Sequence, residues 1–209
     1  MPVTTEELLE LDPRECGVEE FCDRLFDYLG HAGQTMYDET VTQLEHGLQC
    51  AALAEQDGHG QALQVAALLH DIGHLVLDEH DERDDFLETD QRHEVVGARL
   101  VTAWFGAEVG GPVALHVPAK RYLVAIDPSY ANGMSQASVR SLEVQGGPMT
   151  DDEISAFEQR PHYAGAVQLR RWDDRGKVAD AGVPGLEHWR PAVIDSLQTH
   201  HQTPSDSDS

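Results

Sequence analysis

Apolar residues in this chain recur every three or four positions, not every two. Val41, Leu44, Leu48, Ala51 and Ala52 form one such stripe and predict an amphipathic helix. Val18 to Leu29 follows the same rhythm. Gln61 to Val76 is apolar on most sides, the pattern of a helix at the centre of a bundle. Arg92 to Trp104 and Glu108 to His116 predict two more helices, on either side of Gly106. Ser135 to Gln145 follows, and Gly146-Gly147-Pro148 stops it. Thr150 and Glu153 have the spacing of a capping box at the start of the next helix. Tyr163 to Arg175 ends near Gly176, and Glu187 to Thr199 is the last helix. No stretch alternates with strand period, and no segment repeats. The expectation is an all-α bundle: one domain over 18–202, a loosely ordered N-terminal segment 1–17, and a disordered polar tail 203–209.

Composition narrows the partners. The core is aliphatic, with 40% hydrophobic but only 6% aromatic residues among 209. A net charge of -24 argues against nucleic acid or an anionic membrane, both of which need a basic surface. The carboxylates concentrate in 78–90, either a solvated surface or a lid. No apolar run reaches membrane-spanning length, and Met1 to Glu10 has no signal-peptide pattern. Cys16, Cys22 and Cys50 form no CxxC pair, as expected of reduced thiols. The expectation is a cytoplasmic protein, a monomer or small homo-oligomer, acting on a small molecule.

One element clashes with this apolar setting. His70-Asp71 lies inside Ala66-Ala67-Leu68-Leu69-His70-Asp71-Ile72-Gly73-His74. An aspartate is almost never fully buried unless it is paired or holds a metal. Further candidate ligands follow the chain in order: His46 upstream, then His93, His116 and Asp173. Imidazole and carboxylate suit first-row transition metals, and one carboxylate can bridge two of them. His46 lies between Leu44 and Leu48, where a lone histidine would be an ordinary core residue. His70 and His74 share a helix face, so His74 is either a ligand or a contact beside the site. Asp173 follows Trp172 and, taken alone, reads as a surface residue. His59, His80, His200 and His201 lie in polar or terminal stretches and are set aside.

Charge supplies a second signal. The chain has only two lysines, Lys120 and Lys177. Lys120 falls one helical turn after His116, and Arg170 one turn before Asp173. They either neutralise nearby carboxylates or build an anion pocket for a phosphate-like group.

Several motifs occur together in order: Gln43-Leu44-Glu45-His46, Leu69-His70-Asp71-Ile72-Gly73-His74, His93-Glu94, His116, Ala119-Lys120-Arg121-Tyr122-Leu123, Gln145-Gly146-Gly147-Pro148-Met149, Arg170-Arg171-Trp172-Asp173 and Val183-Pro184-Gly185. On these, from about Glu39 to Arg190, the chain resembles the HD-domain mixed-valence di-iron oxygenases that cleave carbon–phosphorus bonds, relatives of myo-inositol oxygenase. The resemblance implies an HD-type helical bundle with one iron on His46, His70, Asp71 and Asp173. It implies a second iron on Asp71, His93 and His116, with Asp71 bridging. It implies a phosphonate grip by His74, Lys120, Ser138 and Arg170, with Ser141 nearby, and Glu39 facing a substrate amino group. The family's displaceable tyrosine falls on Met36 in an ungapped alignment, with Tyr37 beside it.

The implied activity needs Fe(II)/Fe(III) and O2. It converts a 1-hydroxy-2-(amino or trimethylammonio)ethylphosphonate to glycine or glycine betaine plus phosphate. The same ligands would also serve a metal-dependent phosphohydrolase acting on a phosphate ester or nucleotide. A non-enzymatic regulatory HD module would be expected to have lost ligands, and none of the six is missing.

Overall fold

Helices in succession make up the architecture of the computed structural model, which describes residues 1–77, 86–134 and 136–202 but not the side chains of 86–93, 136, 137 and 202. In order they are α1 (Thr5–Leu9), α2 (Pro13–Cys16), α3 (Val18–Ala32), α4 (Gln43–Gln56), α5 (Gln61–Leu69), α6 (Ile72–Val76), α7 (Phe86–Phe105), α8 (Ala107–Ile126), α9 (Pro128–Gly133), α10 (Gln136–Val144), α11 (Asp151–Glu158), α12 (Tyr163–Arg175) and α13 (Leu186–Gln202). Among the described residues the only β-pairing is an isolated bridge between Met36 and Thr42. No described helix is long and apolar enough to cross a membrane. The tail 203–209, residues 78–85 of the acidic stretch and the side chain of His93 lie outside the described residues.

The all-α expectation is met, with α5 at the centre. It packs against α4, α8, α12 and α13, and Val65, Ala66, Ala67 and Leu69 are buried. The capping boxes act as the sequence implies. Thr42 accepts from Glu45 N while Glu45 receives Thr42 N, and Thr150 with Glu153 repeats this at α11.

Three expectations are corrected. The segment 1–17 is not loose: Thr4 and Glu7 cap α1, Asp12 caps α2, and Leu8 and Leu11 are buried. Trp104 Nε1 donates to Leu11 O at 3.1 Å, tying the segment to α7. These helices are too short to show a stripe, but the Thr4-Glu7 spacing was a readable cap. Next, α8 does not stop at His116. It continues through Pro118 to Ile126. Leu115, Ala119, Tyr122 and Leu123 bury themselves with Phe157 and Ala166, and that packing outweighs a proline's cost of about 3 kcal/mol in a helix.

The third correction matters most. Gln61 to Val76 is not one helix: α5 ends at Leu69, and α6 begins at Ile72. His70 stays helical (φ -59°, ψ -32°), whereas Asp71 departs to φ -103°, ψ 14°. Asp71 is the N-cap of α6, where an aspartate usually accepts from the helix N–H groups, yet its side chain makes no such bond. Its carboxylate is turned elsewhere.

If the N-terminal segment belongs to the core, Leu8→Ala should cost about 2–5 kcal/mol in urea unfolding. A change within error would show the segment to be dispensable.

Candidate metal centre

Each of three helices brings one buried histidine to the same point. His46 comes from α4, His70 from the end of α5 and His116 from α8. His46 reaches it because α4 lies close against α5 at Gly47, where a Cβ would stand 2.7 Å from Leu68 O. Each ring is oriented by the main chain. Nδ1 of His46 lies 2.8 Å from Gly176 O, that of His70 2.8 Å from Ala67 O, and that of His116 2.6 Å from Val113 O. A carbonyl only accepts, so these contacts assign the proton to Nδ1 and leave each Nε2 as a lone pair.

Those lone pairs face carboxylates. His70 Nε2 and His46 Nε2 lie 3.3 Å and 3.6 Å from Asp71 Oδ2. His116 Nε2 lies 3.7 Å from the other oxygen, Oδ1. Asp71 therefore presents one oxygen to each of two groups of histidines. His46 Nε2 is also 3.5 Å from Asp173 Oδ1 and 3.3 Å from His70 Nε2. With Nδ1 protonated, none of the three rings donates to the Asp71 and Asp173 carboxylates, and a positive charge placed among the Nε2 lone pairs and these oxygens relieves the arrangement. Nitrogen and oxygen donors of this kind fit a first-row transition metal.

The electrostatics agree. Burial opposes ionisation of Asp71, but His70 and His46 outweigh it and hold its pKa well below the usual range. Burial likewise opposes ionisation of Asp173, which Arg170 and Lys177 overcome. Burial opposes a charge on His46, yet Cys50 and the Asp173 and Asp71 carboxylates hold its pKa well above the ordinary imidazole value, so its Nε2 takes a proton where no metal cation is bound. His116 is pushed down to about 4 by burial, so it stays neutral and ready to bind a cation.

Around this core the expected pocket residues divide. Lys120 is buried and its Nζ donates to Ser141 Oγ at 2.7 Å; Ser141 Oγ in turn donates to Ser138 O at 3.2 Å. The structure thus gathers Lys120, Ser138 and Ser141. His74 is half-buried on α6, close enough to Asp71 to lower its pKa. Arg170 is buried and heavily engaged. NH1 pairs with Asp173 Oδ2 at 2.6 Å, NH2 with Asp174, and Nε donates to Asp174 Oδ2 and to the Tyr130 hydroxyl. Its neutralising role is therefore visible directly.

Met36 is exposed, while Tyr37 turns inward. The Tyr37 ring stacks on His46 at 4.0 Å, and its hydroxyl donates to Asp173 Oδ1 at 3.5 Å. Burial, then Asp173 and Asp71, keep this phenol protonated. Glu39 is exposed on the same loop, and no described contact joins it to the cluster.

Sequence reasoning missed four participants. Lys177 Nζ lies 3.4 Å from Asp173 Oδ1, a contact signalled only by the i,i+4 spacing. Tyr130 and Asp174 hold Arg170, and Asp174 was legible as its i+4 neighbour. Cys50 Sγ lies 3.9 Å from both ring nitrogens of His46, and His46, Cys50 and His70 form a group tight enough to hold a metal. The thiol sits beside the imidazole ring, however, and burial raises its pKa, which favours the neutral thiol.

Residues 44–131 match the HD domain family. The chain is 51% identical over 174 residues to hydroxymethylphosphonate dioxygenase of Gimesia maris, covering 83% of this chain and 87% of the relative. It is 39% identical over 181 residues to the glycine-betaine-forming [1-hydroxy-2-(trimethylamino)ethyl]phosphonate dioxygenase of Leisingera caerulea, covering 87% and 91%. An uncharacterized protein, L432, of Acanthamoeba polyphaga mimivirus is 33% identical over 83% of this chain and 78% of its own length.

Gly47→Ala should push α4 off α5 and lower bound metal in elemental analysis. Cys50→Ala should leave bound metal unchanged; its loss there would put the thiol among the ligands.

Proposed function

The chain belongs to the HD-domain phosphonate oxygenases, and from that membership we propose that it cleaves the carbon–phosphorus bond of a 1-hydroxyphosphonate with O2, using two iron ions on either side of Asp71. The observation that carries this reading is the Asp71 carboxylate, with Oδ2 toward His46 and His70 and Oδ1 toward His116. His46, His70, Asp71 and Asp173 would hold one iron. Asp71, His116 and His93 would hold the other, His93 being supplied by α7, which packs along α6 and α8. When bound, a mixed-valence iron pair supplies the O2 and one-electron chemistry that side chains lack.

The protein's own groups bind and orient. A phosphonate dianion in a chain of net charge -24 needs local cations. The buried Lys120 ammonium, with Ser141 and Ser138 behind it, is the principal one. His74 on α6 and the two Arg170 N–H groups not committed to Asp173, Asp174 or Tyr130 would complete the grip. Tyr37, held over His46 by Asp173, is the inward-facing phenol, so the tyrosine role falls to it rather than to Met36.

For substrate we favour hydroxymethylphosphonate, on which the 51% identical relative is named to act. With O2 it would give formate, phosphate and a proton, which balances atoms and charge. The described site offers an ammonium group little: Glu39 is exposed, and Lys177 already lies over the Tyr37 ring at 5.1 Å. The 2-amino and 2-trimethylammonio substrates, giving glycine and glycine betaine, are therefore second to it.

The deciding measurement is phosphate release after anaerobic Fe(II) reconstitution, with each of the three phosphonates, with and without O2. The expected result is O2-dependent phosphate with equimolar formate from hydroxymethylphosphonate. Release that ignores O2 would turn the reading to a phosphohydrolase. Removing the bridge by Asp71→Ala should abolish binding of both irons, whereas His116→Ala should lose one. Lys120→Ala should raise KM by about tenfold or more, the worth of a charged hydrogen bond, while iron content holds.

A further inference from the structure

We propose that Lys177 is a positioning residue of the metal centre, placed to weaken the hold of Asp173 on its cation and to favour the reduced state of that cation. This rests on the reading of Asp173 as a ligand. Asp173 Oδ1 is the oxygen that faces the centre, 3.5 Å from His46 Nε2, and Lys177 Nζ lies 3.4 Å from that same oxygen. The opposite oxygen, Oδ2, is held by Arg170 NH1 at 2.6 Å. The single negative charge of Asp173 is thus shared between two side-chain cations.

Lys177 is not a wandering surface lysine. Its side chain is only 19% exposed. The ammonium lies over the Tyr37 ring at 5.1 Å, the same ring that stacks on His46 at 4.0 Å. The main chain is pinned on either side of it. Gly176 O receives the Nδ1 proton of His46 at 2.8 Å. Val178 exchanges two hydrogen bonds with the Gln49 side chain on α4, each 3.0 Å. The ammonium is therefore held beside His46 and Asp173 by two anchors on α4.

A fixed positive charge a few ångströms from a metal opposes the higher oxidation state more than the lower, and does so strongly where water is scarce. It also makes Asp173 a poorer donor. An enzyme that must meet O2 with reduced metal gains from both effects.

The test is a redox titration of anaerobically reconstituted protein, followed by the visible and paramagnetic signals of the irons, for wild type, Lys177→Met and Lys177→Arg. Lys177→Met should bind the same iron but shift its midpoint downward, raising the oxidised fraction at a fixed potential roughly tenfold. Lys177→Arg should stay near wild type. An unchanged or upward midpoint, or Lys177→Arg behaving like Lys177→Met, overturns the proposal. Lys177→Gln replaces Lys177→Met if that variant fails to fold. Asp173→Ala is measured alongside. Full iron content in it would show that the ligand assignment is wrong, and this proposal would fall with it.

Discussion

A carboxylate held among histidines in the interior of an aliphatic bundle is the constraint on which the rest of this structure depends. Asp71 carries a charge that the surrounding leucines and alanines cannot solvate. The chain answers by breaking its central helix at that residue, forgoing the cap that an aspartate there would usually make, and turning the carboxylate toward His46, His70 and His116. The close approach of α4 to α5 at Gly47 follows from the same need, since His46 must reach the carboxylate from the neighbouring helix. Packing and chemistry are here one requirement.

The same constraint orders the charges. In a chain of net charge -24, not all of the few cations are left at the surface. Arg170, Lys120 and Lys177 are drawn in around the acceptor cluster, each engaged by a named partner. Arg170 serves two ends at once. It balances Asp173 and Asp174, and it is itself steadied by Tyr130 from α9. Such networks are worth more in a poorly solvated interior than at the surface, and they are correspondingly costly to leave half-built.

Much of this was legible in the sequence. The helical rhythm placed Tyr163–Arg175 at its observed ends, and the Thr150 and Glu153 pair marked the start of α11. His70-Asp71 stood out because an aspartate does not belong in an apolar run, and five of the six expected ligands, the pair included, come together there. What escaped the sequence did so for physical reasons. The break at Asp71 could not be seen, because helical periodicity continues across it and only the demand of the carboxylate interrupts it. The helices α1 and α2 barely exceed one turn, too short for a stripe to recur. Tyr130 reaches Arg170 across a distance set by the packing of α9 and α12 against α8, which no local pattern encodes, whereas Lys177 had only its i,i+4 spacing from Asp173 to signal it. His93 shows the opposite case: its role comes from resemblance, and its side chain lies outside the described residues.

The three ring protons of the cluster go to main-chain carbonyls of Gly176, Ala67 and Val113. Where a metal-binding histidine is steadied by a carboxylate, one codon change can remove the support. Here no side-chain exchange at those three positions deletes the acceptor. The orientation of the rings is therefore inherited with the fold, and drift in sequence can retune it only by moving a helix.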